Sequence, residues 1–281
     1  MNVLIMSVLF FASCFQLFDP SEAASHGQEW SYEGKTGPSF WYHSYPKCSG
    51  DQQSPIDIEP RQTTYKENLE NSLVFNYGWT NTPSYIMKNN GHSLQVNVPS
   101  ARATLTYNAK SFALDQFHFH WGCENGKGSE HLINGLSYPA ELHLVHHNER
   151  YSSLAEAVDK PDGLAVVSVM IKVGRYNKAF RKFLRFSPNV IDAGQSVYVP
   201  SFDLTRLLPG NKEKFYRYDG SLTTPPCYES VTWTVMDGTI EISQSQLNRF
   251  RKLRRSDGQA LVDNFRPVQP TNNRMVFRSF A

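Results

Sequence analysis

An excess of charge of one sign is missing from this sequence. Lys and Arg number 28 against 26 Asp and Glu, a formal net charge of +2 over 281 residues. So even a balance leaves no electrostatic footprint for nucleic acid. Charged residues make up 19% of the chain and hydrophobic residues 40%, and no segment is apolar-poor enough to stay disordered. Internal repeats, low-complexity tracts and domain-splitting linkers are missing, which excludes solenoids and arrays. There is no Asn-x-Ser/Thr sequon, so glycosylation gives no hint of compartment. After the N-terminal run, no apolar stretch approaches a spanning helix, and NNRMVFRSFA at the end carries no lipid-anchor tail. Cysteine is sparse at four. With Cys14 in the leader, Cys48, Cys123 and Cys227 remain. That odd number permits at most one intrachain disulfide, in any of three pairings.

What is present begins with MNVLIMSVLFFASCFQLF, followed by Ser21-Glu22-Ala23. The apolar run and small-x-small site predict a secretory signal peptide over residues 1–23. The run is short for an uncleaved membrane anchor, although it lacks a Lys or Arg at its start. Its removal takes away Asp19 and Glu22, two negative charges. The rest alternates. Residues 93–98, 103–108, 112–122, 140–148, 164–174 and 229–243 carry period-2 apolar patterns with β-branched and aromatic residues, which predicts strands. Helical patterns are confined to 153–160, 177–186 and 243–255. The expected class is α+β, mostly β: a single domain with a central twisted, mostly antiparallel sheet and peripheral short helices.

LDQFHFHWG (114–122) raises a chemical question. In a strand, Gln116, His118 and His120 share one face, with Phe117 and Phe119 on the other. In AELHLVHHN (140–148), Glu141, His143 and Val145 share a face. If the two strands pair, three imidazoles converge, the ligand set of a catalytic zinc site with its fourth position open. Alone, His-x-His is weak. Two core histidines satisfied by backbone, a copper site or a metal-dependent hydrolase fit it too. Gln116 and Glu141 each precede a candidate ligand by two residues, placed to take its second N–H.

QFHFHWG, GSEH (128–131), ELHLVHHN, SLTTPPCYESVTW (221–233), QSPIDI (53–58), NNGHSLQV (89–96) and NFRPVQP (264–270) resemble the α-class carbonic anhydrases. They occur in that family's order from about Trp30 to the C-terminus. The resemblance implies a secreted, extracellular catalytic domain over 24–281. It implies reversible hydration of CO2 to bicarbonate and a proton by zinc-hydroxide attack, with Zn2+ on His118, His120 and His143. Gln116 and Glu141 would orient these ligands, and Thr223 with Glu130 would orient the attacking hydroxide. His92 would shuttle the proton, with Tyr32 and Asn90 ordering the water between. Val145, Val166, Leu222 and Trp233 would form the apolar wall for CO2, and Thr224 and Gln95 would line the same cavity. Cys48 and Cys227 match the disulfide of extracellular members, and Ser54-Pro55 and Pro225-Pro226 match cis positions.

Cys123 is then the odd thiol, read as a buried inert Cys, with an intermolecular link or a redox role as alternatives. The expected partner is the small-molecule substrate CO2 or bicarbonate, with no nucleic acid, no membrane anchor and a monomeric state. RFRKLRR (249–255) reads as a solvated basic helix face. His147 and Phe265 stand where Trp is common in the family. A catalytically silent relative is the competing reading. Silent members typically lose a ligand histidine, and all three are present here, with Thr223 and Glu130.

Overall fold

The computed structural model describes residues 29–77, 84–99 and 103–281; the expected signal peptide lies outside them. The fold is built on strands Ser84–Asn89 (β1), Leu94–Asn97 (β2), Lys110–Trp121 (β3), Ala140–Asn148 (β4), Leu164–Val173 (β5), Ser196–Pro200 (β6), Phe215–Gly220 (β7) and Val231–Met236 (β8). They lie side by side in the order β6-β1-β2-β3-β4-β5-β8-β7 within one large sheet of a single domain. Neighbours run antiparallel except β5 and β8, which are parallel.

β3 and β4 form the axis. Register sets His118 directly opposite His143 and, on the other side, opposite Gln95. The pairing slips once, between Leu114 and Gln116, where Asp115 is the extra residue. This bulge was not visible in the alternation. It resets parity, so Leu114 and Phe117 face the same core despite their odd spacing. Its cause is polar: Asp115 Oδ2 accepts hydrogen bonds from both the backbone N–H and Nδ1 of His147, at 3.1 and 2.7 Å.

One face of the sheet buries Phe117, Phe119, Trp121, Leu142 and Leu144 under Phe180, Phe183 and Phe250. Those come from helices Lys178–Leu184 (α2) and Gln244–Phe250 (α3). Helix Leu154–Ala157 (α1) is a single turn. Each of these three helices starts where its cap sits, whereas the single turn Trp41–Ser44 has no side-chain cap. Ser153, Asn177 and Ser243 accept N–H groups of the first turn, and Ser243 with Gln246 closes a capping box. The basic helix expected over 243–255 stops at Phe250. Leu253 is fully buried and the Arg254 N–H bonds to the Ile191 carbonyl, which draws the chain off the helical path. The single strand expected over 229–243 is two, β8 and Ile240–Ile242, broken at Asp237-Gly238 while both follow β5.

His146, the neighbour of His147, points into this core. It is fully buried, hydrogen-bonded to the Tyr77 hydroxyl and, through Nδ1, to the Ala165 carbonyl. Burial pushes its pKa down to about 4. The unfolded chain binds this proton below about pH 6.5 and the folded chain does not. Stability therefore falls as pH drops from about 6.5 to about 4, and its loss is about 3 kcal/mol at the end of that window. Urea midpoints should show the stability gap between wild type and His146→Gln narrowing by about 2 kcal/mol from pH 8 to pH 5. A constant gap removes His146 from the acid response.

Candidate metal centre

The other face of β3 and β4 carries the histidines. His120 and His143 are 1% exposed and His118 is half-buried, so the cluster opens on the His118 side. Each imidazole gives one nitrogen to the protein. His118 Nδ1 meets Gln116 Oε1 at 2.9 Å, His120 Nδ1 meets the Asn264 carbonyl at 2.7 Å, and His143 Nε2 meets Glu141 Oε1 at 2.7 Å. All three partners are oxygens that only accept, so each fixes its ring's proton on that nitrogen. The remaining nitrogens are bare and converge; one ligand atom from each residue fits within a 4.8 Å group. His120 Nε2 and His143 Nδ1 stand 3.2 Å apart. Two lone pairs face each other there with no proton between them, which a cation relieves.

Burial drives all three pKa values down. His118 falls well below the ordinary histidine value, His120 to about 3, and His143 below normal against the pull of Glu141. The set is a neutral, metal-ready triad. A second buried group, His131, Glu141 and His143, is also close. It fits a cation poorly, because Glu141 is already saturated. Its oxygens accept from the N–H groups of Glu130 and His131, from His131 Nδ1, from His143 Nε2 and from Ser168 Oγ, all within 2.6–2.8 Å. Burial raises the Glu141 pKa, but His131 and His143 outweigh it and hold the carboxyl well below its usual range.

Glu130 is fully buried beside the triad. Its Oε1 accepts the Arg266 N–H at 2.9 Å. Its Oε2 has no hydrogen-bond partner among the described residues and lies 3.4 Å from His120 Nε2. Burial and then the Glu141 charge push its pKa well up, while Arg266 and the Thr223 side chain pull against this. Thr223 sits on the loop after β7, which the buried Cys48–Cys227 disulfide ties to the N-terminal segment. Ser54-Pro55 and Pro225-Pro226 are both cis. The apolar side of the site joins Val145, Val166, Leu222 and Trp233 in one cluster, with the Trp233 ring 4.9 Å from that of His143.

His92 lies on the turn between β1 and β2. Asn90 Oδ1 accepts the N–H groups of His92 and Ser93, and Gly91 takes a φ of +86°. Asn90 Nδ2 reaches Gln95 at 3.1 Å. The His92 ring stacks on Trp30, centroids 3.8 Å apart, and burial lowers its pKa to about 4. Tyr32 packs against Trp30, and burial with the Glu130 charge raises its pKa well above normal. Thr224 stands next to Thr223, half-buried. Cys123 departs from expectation: it is exposed. It follows Gly122, past the last residue of β3, so strand burial no longer applies.

Several working residues were not singled out. Asn264 acts through its main-chain oxygen, which no side-chain pattern announces. His131 bridges Glu141 and Tyr218, and GSEH was its only signal. Arg266 is 2% exposed, donating to Gln53 Oε1, the Ser54 carbonyl and the Cys48 carbonyl at 2.8–3.0 Å. Arg266→Met should cost about 3 kcal/mol in urea unfolding, because buried carbonyls lose their donors. An unchanged midpoint rejects that role.

The sequence profile of eukaryotic-type carbonic anhydrases matches residues 36–280. Carbonic anhydrase 6 of Bos taurus is 35% identical over 259 residues, 90% of this chain and 81% of that protein. Carbonic anhydrase 12 of Homo sapiens is 36% identical over 269 residues, 93% of this chain and 76% of that protein. A likeness that spans the whole sheet and the histidine cluster leaves one assignment: the chain belongs to the eukaryotic-type carbonic anhydrase family of enzymes.

Proposed function

We propose that the chain hydrates CO2 reversibly to bicarbonate and a proton, with Zn2+ held by His118, His120 and His143. The observation that carries this is the convergence of bare nitrogens, each fixed by an acceptor on the opposite side of its ring. Zinc supplies Lewis acidity there, bringing a water's pKa to about 7, a value for which carbonic anhydrase is itself the reference case. Three neutral ligands leave the ion dipositive, so that pull is undiluted.

The protein groups divide the remaining work. Thr223, with its proton committed to Glu130, can only accept. It therefore holds an attacking hydroxyl by that hydroxyl's proton and turns a lone pair toward the substrate carbon. Val145, Val166, Leu222 and Trp233 offer CO2 an apolar wall, which an uncharged molecule without donors requires; Thr224 and Gln95 line the same space. His92 receives the released proton on its imidazole, with Tyr32 and Asn90 ordering water along the way. Residues 1–23 act as a signal peptide and 24–281 as the catalytic domain of a secreted protein. A disulfide supports an oxidising compartment, and no helix among the described residues is long and apolar enough to cross a membrane.

Stopped-flow CO2 hydration, with zinc quantified in the same sample, tests the reading. One equivalent of zinc with fast hydration is expected. One equivalent of zinc without hydration overturns it in favour of a structural site.

A further inference from the structure

A cleft of about 830 Å³ lies apart from the histidine cluster, and none of the zinc-site residues lines it. Its walls are α2, carrying Lys178 and Lys182, and the segment with Phe202, Asp203 and Arg206. Its floor is the end of β5 and its parallel neighbour, with Lys172, Thr239 and Glu241, and Arg175 and Tyr176 stand at its edge.

The frame is fixed from below. Phe180, Phe183 and Phe202 are buried in the main core, which holds α2 against the sheet and leaves Lys178 and Lys182 on its exposed side. Asn177 caps the helix and its N–H and carbonyl both bond to the Gln246 side chain, so the turn into α2 is anchored as well.

The charge in the cleft is one-sided, unlike the chain as a whole. Five cations (Lys172, Arg175, Lys178, Lys182 and Arg206) face two carboxylates. Both carboxylates are already engaged: Glu241 by Lys172 at 3.4 Å and Arg175 at 3.2 Å, Asp203 by Arg206 at 3.5 Å and by Thr205. Lys178 and Lys182 have no ion-pair partner among the described residues. They stand one helical turn apart on the same side, roughly 6 Å between side-chain bases. The sequence's own basic run at 249–255 does not offer such a pair, because Lys252 alone lacks a partner there among the described residues. Arg249 is bonded to the Leu184 carbonyl, Arg251 to the Gly122 carbonyl and Asn125, Arg254 to Asp192, and Arg255 to Glu33 and Asp257.

We infer that this cleft binds a sulfated polysaccharide chain, with Lys178 and Lys182 each meeting one sulfate and Tyr176 flanking the sugar. Two ammonium groups at one-turn spacing on an anchored helix, with no ion-pair partner among the described residues, suit anions repeated along a chain better than a single ion. The cleft volume lies in the range of ligand sites. The inference rests on the secreted reading proposed above, which the disulfide supports, because such chains occur outside the cell.

The test is fluorescence anisotropy of the intact, disulfide-bonded protein with a labelled heparin-derived octasaccharide across a salt series. Saturable binding that weakens with salt is expected. Lys178→Glu combined with Lys182→Glu should weaken it at least tenfold while CO2 hydration stays at the wild-type rate. Lys35→Glu with Lys252→Glu, the same charge change outside the cleft, should leave it within twofold. Equal losses in the two double variants, or no binding at low salt, overturn the site. Tripolyphosphate displacing the octasaccharide at lower concentration than unlabelled octasaccharide does overturns the assignment to sulfated sugar.

Discussion

His118→Ala is expected to abolish both zinc retention and CO2 hydration while leaving the fold intact. His118 is the one partly exposed member of the triad, so its truncation opens less void than at His120 or His143, which are enclosed. The effect on chemistry is large because the ligand set has no spare member. Removing even an orienting partner of a ligand weakens metal binding about 10- to 100-fold, so losing the ligand itself exceeds that. Without the metal a water's pKa returns to about 15.7, and hydration at pH 7 should fall by at least about 10³-fold. Atomic absorption after dialysis against a chelator reads the metal, and stopped-flow hydration reads the rate. Gln116→Ala should lie between: measurable zinc, weakened about 10- to 100-fold, because His118 Nδ1 loses its acceptor. A His118→Ala protein that keeps one equivalent of zinc and its rate would sink the triad assignment.

The triad was legible because two short-range rules sufficed. Strand parity put Gln116, His118 and His120 on one face, and parity again put Glu141 with His143. Only the pairing of the two strands had to be supplied by the fold, and the register sets His118 against His143. What was not legible is what a chain cannot encode in side-chain pattern. The acceptor for His120 is a carbonyl 144 residues away in sequence. The bulge at Asp115 depends on His147, thirty-two residues on. Arg266 is buried because loops carrying Cys48, Gln53 and Ser54 fold over it, and local sequence shows only a basic residue among prolines. Alternation located strands 140–148 and 164–174 to within a residue. It failed at 229–243, where a break at Asp237-Gly238 leaves the apolar pattern nearly intact. Cys123 was misread for a related reason: burial follows a strand only as far as the strand goes.

His92→Ala is expected to leave zinc binding untouched and to slow turnover only where buffer is scarce. An acid of pKa about 7 that releases protons straight to water is limited to roughly 10³ s⁻¹. Turnover for this chemistry reaches about 10⁶ s⁻¹, with carbonic anhydrase itself as the reference case. The gap, up to about 10³-fold, bounds what a relay can contribute. The geometry adds a condition. Stacked on Trp30, the His92 ring is desolvated and its pKa is about 4. Passing a proton from a group of pKa about 7 to one near 4 is uphill by three units, about 10³-fold, which would cancel the gain. For the relay proposed above, the stacked ring is then a resting position, and acceptance requires the ring to leave Trp30 for water, where histidine titrates near neutrality. Two consequences separate this from a simple loss of a polar residue. Added imidazole should restore the His92→Ala rate, because a free base replaces the tethered one. Trp30→Ala, which keeps His92 and removes its stacking partner, should raise the His92 pKa toward about 6.5 in an NMR titration. An unchanged His92 pKa in Trp30→Ala would mean that the ring's environment is set elsewhere, and a His92→Ala rate equal to wild type in dilute buffer would mean that the proton leaves by another route.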